Sequence, residues 1–195
     1  MLRAPFFVAL ALIVAFSGGV FSSIAAIEAN QTFETVAIGP WVATPLAQTA
    51  AANPYAKARR AREGNFPLGQ AEGLAFHART DSAGRPLSGR CAYLLAGNTP
   101  ASRLWTLHLT DGSEDRIEGQ GIFPRAMHST RLQRRPDGSF TLHLDDTAHS
   151  GNWIKLDHEG PVVLHLTLFD TPAAGNFGLI DLTMPVIERV ECRDA

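Results

Sequence analysis

Arg103-Leu104-Trp105-Thr106-Leu107-His108-Leu109-Thr110 alternates apolar and polar side chains with a period of two, the pattern of a strand with one buried face. The same period returns in Ser139 to Asp145 and in Val162 to Phe169, and the three stretches share a tripeptide: Leu107-His108-Leu109, Leu142-His143-Leu144 and Leu164-His165-Leu166. Residues i and i+2 of a strand share a face, so the leucines, with Trp105 and Phe140, are assigned to the core. The histidines then lie on the opposite face with Thr106, Thr141, Asp145 and Thr167. Three imidazoles gathered from neighbouring strands would suit zinc or iron. A metal in a jelly-roll enzyme sits inside the barrel, however, where this pattern places leucine, so neither a metal nor a cofactor is expected.

The rest of the chain extends the β reading. Gly73 to Thr80 and Leu87 to Ala96 flank Asp81-Ser82-Ala83-Gly84-Arg85-Pro86, a hairpin-like connection with Asp, Gly and Pro where turns need them, and Pro136-Asp137-Gly138 marks another turn. One short soluble helix stands apart: Asn53 is a good N-cap, Pro54 suits the first helical position and Gly64 suits the C-terminal stop. Short strands, Gly/Pro turns and little helix predict a mainly β chain. The expected fold is a jelly-roll-like antiparallel β-sandwich with one short helix.

Ahead of the sandwich, no residue from Ala4 to Ile27 is ionisable, and the run is rich in Ala, Val, Leu, Ile and Phe. About 20 apolar residues cross a bilayer, so this segment predicts an N-terminal transmembrane helix. The amino terminus and Arg3 precede it, whereas the first charges beyond it, Glu28 and Glu34, are negative. Positive charge stays cytoplasmic, which predicts a single-pass protein of the bacterial inner membrane with a periplasmic C-terminal domain. Whether the segment is cleaved stays open: Ser23-Ile24-Ala25 offers small residues to a signal peptidase, but the run exceeds a usual h-region of about 7–15 residues. The expected organisation is a signal anchor or transmembrane segment over 1–29, a tether and first strand over 30–52 and the β-sandwich domain over 53–195. After the anchor, roughly 165 residues remain, enough for one domain with a proper core.

The formal net charge of −2 argues against nucleic acid as a partner. Cys91, in an apolar run, and Cys192, after the β-like Val186-Ile187-Glu188-Arg189-Val190, are the complete cysteine inventory. In an oxidising compartment two such cysteines are expected to pair. The loop closed would span about 100 residues, for which the chain-entropy model gives roughly 4–5 kcal/mol.

Other candidate chemistry is thin. Asp145-Asp146 with His149 and His158 forms a candidate acid/base group, so Asp145, His149 and His158 are the catalytic candidates; polar loop residues without such a role are common. Asp111-Gly112-Ser113-Glu114-Asp115, with Glu118, invites a calcium reading, but Arg116 stands where an EF-hand needs glycine and Ile122 is the twelfth residue, so a solvated turn is the better reading. Asn152-Trp153 reads as a turn with a core tryptophan. Lys57, Arg59, Arg60 and Arg62 form the densest basic cluster, read as a solvated helix face, with anionic lipid or polysaccharide contact as the alternative. The chain has no Gly-x-Ser-x-Gly elbow, complete dinucleotide fingerprint or phosphate loop.

A set of short pieces also carries a resemblance. Gly39-Pro40-Trp41, Asn53-Pro54-Tyr55, Arg62-Glu63-Gly64, Pro67-Leu68-Gly69 and Glu72-Gly73 occur in this order. They are followed by Thr80-Asp81-Ser82 with Gly84 and Pro86-Leu87, Cys91 with Tyr93, Arg103-Leu104-Trp105-Thr106-Leu107, Asp137-Gly138-Ser139-Phe140 and Gly151-Asn152-Trp153. Together they resemble the bacterial domain of unknown function 1214 family in its short, membrane-anchored form, over most of residues 36–192. The resemblance implies a jelly-roll-like sandwich and an envelope location, and brings no established activity. It also leads one to expect an aromatic residue after the strand from Arg103 and an Arg-x-Tyr pattern near residue 167. Thr110 and Thr167-Leu168-Phe169 stand there instead.

Anchor, resemblance and missing catalytic motifs favour a membrane-anchored envelope protein whose sandwich is a non-catalytic binding or accessory module for a glycan, lipid or protein ligand. The competing expectation is a periplasmic, hydrolase-like enzyme using a His/Asp group at the sandwich edge.

Overall fold

The computed structural model describes residues 3–29, 35–45, 52–63, 68–69, 72–113, 115, 117, 123–174 and 182–193, the side chains of residues 3, 27–29, 59, 60, 62 and 63 excepted. The N-terminal segment is one unbroken helix, α1 (Arg3–Ala29). Within it Ala4–Ala26 is long and apolar enough to cross a membrane, with a mean hydropathy of 2.2. The hydroxyls of Ser17 and Ser23 donate to the carbonyls of Ile13 and Gly19, so these polar groups are satisfied inside the helix. Among the described residues its large apolar side chains are exposed: Phe16 is 77% and Phe21 76% exposed.

The remainder is mainly β and sandwich-like. A six-stranded antiparallel sheet has the order β1-β2-β3-β9-β5-β6. Its strands are β1 (Val36–Ile38), β2 (Trp41–Ala43), β3 (Gly73–Ala78), β5 (Leu104–Asp111), β6 (Ala126–His128) and β9 (Val162–Phe169). A four-stranded sheet has the order β10-β4-β7-β8, built from β4 (Cys91–Gly97), β7 (Phe140–Asp145), β8 (Trp153–Lys155) and β10 (Val186–Cys192). The short helix α2 (Pro54–Glu63) starts as its sequence predicts, with the Asn53 side-chain oxygen accepting from the N–H of Ala56 at 2.9 Å. The stop assigned to Gly64 lies outside the described residues.

Strand parity sorts the core. Trp105, Leu107 and Leu109 of β5, Phe140, Leu142 and Leu144 of β7, and Leu164, Leu166 and Leu168 of β9 are buried together between the sheets. Burying side chains of this size contributes on the order of 1.5–3 kcal/mol each, which is what drives the two sheets face to face. Trp41 is fully buried in the same core, its indole N–H donating to the Pro185 carbonyl at 2.8 Å. Gly73 opens β3 because nothing larger fits: a Cβ there would stand 2.1 Å from the Leu168 carbonyl oxygen.

Two connections differ from the sequence expectation. The turn at 81–86 forms, with Asp81 N–H bonded to Arg85 O and Leu87 N–H to Arg79 O, but the strands on either side part company. β3 joins the six-stranded sheet and β4 the four-stranded one, so the segment is a bridge between sheets and not a hairpin. Asp81 marks the crossing: this buried carboxylate takes the N–H groups of Ala83 and Arg85 and the Arg85 guanidinium, and lies 3.3 Å from the guanidinium of Arg189 on β10. β7 and β8 are the second exception, because they run parallel. Residues 146–152 must therefore double back along β7 before β8 begins.

Cys91 and Cys192 are register partners on β4 and β10 and are joined by a disulfide. The bond ties the last strand into the four-stranded sheet.

Candidate functional site

The returning segment 146–152 builds a polar corner of the sandwich. Because it retraces β7, it carries His149 back over His143, and the two rings stack with centroids 4.3 Å apart and planes within 3°. His149 Nε2 lies 2.6 Å from Asp145 Oδ2. Burial pushes the Asp145 carboxyl up, but the hydrogen bonds from His149 and the Thr147 N–H outweigh it and leave it below the ordinary carboxylate value. His143 is lowered, first by burial and then by the charge of His149, with Asp145 opposing. Asp145 and His149 thus form a carboxylate–imidazole pair in which the carboxylate orients the ring, one half of the arrangement that acid/base catalysis uses.

The third catalytic candidate does not join them. His158 lies in the turn that packs against Gly89 and Gly160, and a Cβ on Gly160 would meet His158 Nε2 at 2.7 Å. Among the described residues it has no hydrogen bond to Asp145 or His149. Beside the pair, a chain of alternating charges crosses the corner. Arg125 holds Asp157 through two bonds, one at 2.8 Å. Lys155 stands 3.3 Å from Asp157 and 3.9 Å from Asp146, and Arg193 bonds Asp146 at 2.8 Å. Each of these charges is answered by a neighbour, so the corner has little unpaired charge to offer a ligand. A cavity of about 20 Å³ is lined by Arg90, Cys91, Asp145, Asp146, Leu156 and Arg193, among others. It has room for one water, against roughly 300–1,000 Å³ for a small-molecule site.

Trp153 corrects an expectation. It lies on the outer face of β8, register-paired with His143, its indole N–H donating to the Asp145 carbonyl and its ring edge-on to Phe123 at 5.7 Å. The parity of a three-residue strand decided its face, since Ile154 takes the core position. The buried partner is Asn152 instead: its side chain accepts from Gln133 N–H at 2.7 Å and donates to Gln133 O and Thr141 O at 2.8 Å.

Of the three Leu-His-Leu histidines, His108 and His165 come together and His143 lies in the other sheet. His165 is the register partner of His108 on β5 and of His77 on β3, so three imidazoles lie in a row across β3, β9 and β5. His77 was missed because it stands in Phe76-His77-Ala78, a fourth apolar-His-apolar tripeptide with the same parity but without leucine. His165 bonds the Thr110 hydroxyl at 2.9 Å. Its pKa is lowered to about 4 by burial above all, then by His108, His77 and Arg79. Among the described residues, no group of three or more His, Cys, Asp and Glu is arranged to hold a metal ion. In the loop weighed for calcium, Asp111 Oδ1 accepts from the N–H groups of Ser113 and Asp115 and so shapes its own turn; Glu114, Arg116, Glu118 and Ile122 lie outside the described residues. So do the side chains of Arg59, Arg60 and Arg62 on α2.

Comparison with known proteins adds the family and the fold. The model of a protein family of unknown function, DUF1214, matches residues 72–173. No curated protein sequence matches the chain. Among solved structures, the chain is similar to the VPA0106 protein from Vibrio parahaemolyticus, with 17% identity, a TM-score of 0.58 and coverage of 70% of this chain and 35% of that one. It also aligns with an uncharacterised protein from Burkholderia cenocepacia at 21% identity and a TM-score of 0.45, over 94% of this chain and 44% of that one. The chain therefore spans less than half the length of either.

Proposed function

We propose that this chain, which belongs to the DUF1214 family, is a single-pass protein of the bacterial inner membrane that holds a non-catalytic β-sandwich in the periplasm as a binding or accessory module. One observation carries the reading: the same chain joins a lipid-suited helix, apolar over Ala4–Ala26 with its large side chains exposed, to a domain closed by a disulfide. Disulfides persist outside the reducing cytoplasm, and the Arg3 against Glu28/Glu34 asymmetry orients the chain in the same direction. The occupants this module suits are a glycan, a lipid or another protein, not nucleic acid, given the net charge of −2. The experiment is a pair of C-terminal fusions. Alkaline phosphatase, which folds only when exported, is expected to be active, and a cytoplasm-only fluorescent reporter dark; the reverse result removes the proposal.

A second reading rests on one specific contact. The Asp145–His149 pair at 2.6 Å is an oriented base at the sandwich edge, as a hydrolase-like periplasmic enzyme would need. The one-water cavity beside it weighs against that reading, since chemistry needs a place for the substrate. Turnover of an ester, phosphoester or glycoside panel that disappears in His149→Gln would establish it; identical background rates for the two proteins would dismiss it.

A further inference from the structure

We propose that the Cys91–Cys192 bond is a reducible strap, opened by a dithiol while the domain remains folded, and that its opening frees the end of β10 and uncovers the cavity beside Asp145. The two sulfurs are unequally placed. Cys91 is 7% exposed, whereas Cys192 sits at the exposed end of an edge strand. A nucleophile from solvent therefore meets Cys192 first. Its thiolate attacks Cys192 Sγ, the bond to Cys91 Sγ breaks, and the electron pair leaves on the Cys91 sulfur, which takes up a proton. The second thiol of the reagent, as thiolate, then attacks the mixed disulfide and closes the reagent's own disulfide. It expels Cys192 as a thiolate, which is protonated in turn. Two electrons pass from the dithiol to the cysteine pair, and the two protons are those the reagent's thiols gave up. Arg90 and Arg193 line the same cavity as Cys91, and neighbouring cations favour the departing thiolate.

β10 is built in two parts that respond differently. Its first half is anchored: Ile187 is buried, its N–H donates to Ser82 Oγ and its carbonyl accepts from Ser82 N–H, both at 2.9 Å, while Arg189 lies over the Tyr93 ring and beside Asp81. A register shift between Arg189 and Glu191 then leaves Val190 unpaired and 62% exposed. Beyond that bulge Glu191, Cys192 and Arg193 are all exposed. Besides the disulfide and the pairing with β4, this end is held by Arg193 N–H on Arg90 O and by the Arg193 guanidinium on Asp146 and Gly89 O. The Arg193–Asp146 contact is exposed and the one to Gly89 O only part-buried, and such contacts open and close readily, so the covalent bond is what keeps the end down. Glu191 and Arg193 also wall the cavity that Cys91, Asp145 and Asp146 line, so lifting them exposes it.

The test uses the full chain in detergent. Reduction by dithiothreitol is followed by alkylation and mass over urea concentrations below the unfolding transition. Amide exchange is then measured in the oxidised and reduced forms. A reduction rate constant within twofold across that urea range, with exchange of residues 190–193 at least tenfold faster after reduction and the β5, β7 and β9 amides unchanged, is the expected result. A rate that climbs with urea alongside unfolding would mean that the bond is reached only in the unfolded chain, and would overturn the proposal. Exchange that rises everywhere, or nowhere, would do the same. The Cys91→Ala/Cys192→Ala variant is expected to fold with the same fast exchange at 190–193; failure of that variant to fold also overturns it.

Discussion

His165 and His108 stack across the β9–β5 pair with ring centroids 5.0 Å apart and planes within 11°. Two charged imidazoles would repel at that distance, and burial already keeps His165 neutral, with a pKa of about 4. The unfolded value is about 6.5, so between the two values the unfolded chain binds a proton that the folded chain does not. Stability is therefore level above that window, falls as the pH drops from 6.5 towards 4, and has lost this contribution below it. After discounting for the partial exposure of the ring, the loss is about 1–2 kcal/mol. Urea midpoints at pH 7 and pH 4.5 check it: His165→Gln is expected to lose part of the wild-type difference, and an unchanged difference would contradict the assignment.

Asn152→Ala is expected to destabilise the domain by about 2–4 kcal/mol, because it strips partners from Gln133 N–H, Gln133 O and Thr141 O in a buried site. Denaturant unfolding measures it. A change below 1 kcal/mol would mean that water replaces the amide without loss.

The parity of β9 and β5 makes a paired prediction. Leu166→Ala removes a side chain buried between the sheets and is expected to cost about 2.7–5 kcal/mol. Thr106→Ala, on the outer face of β5, is expected to stay within about 0.5 kcal/mol. Equal effects in thermal or chemical unfolding would contradict the facing of these strands.

What the sequence made legible was whatever is local. Alternation in Ser139 to Asp145 assigned each side chain a face, Asn53-Pro54 announced a helix start, and two cysteines in β-like segments of a chain expected to be exported implied their bond. Strand order was not legible, since it joins distant segments. That His77 meets His165, or that Asp81 meets Arg189, follows from β3 lying beside β9 and from β10 pairing with β4. The turn at 81–86 misled for the same reason: its residues fix a tight turn but not which sheet each flanking strand enters. Asp145, His149 and His158 were legible only as candidate polar residues; that His149 and not His158 meets Asp145, and stacks on His143, depends on the return of 146–152 along β7. Trp153 was misplaced because an aromatic after a turn is ordinarily core, and here Ile154 took that position.

The reading of the protein stands on its membrane orientation, and protease accessibility tests this most directly. In a Gram-negative host, the full-length chain in spheroplasts is treated with proteinase K before and after lysis, and the domain is followed with an antibody. The account predicts a chain that sediments with the inner membrane, resists carbonate extraction and loses its sandwich to protease in intact spheroplasts. A domain that survives until the spheroplasts are lysed would contradict it.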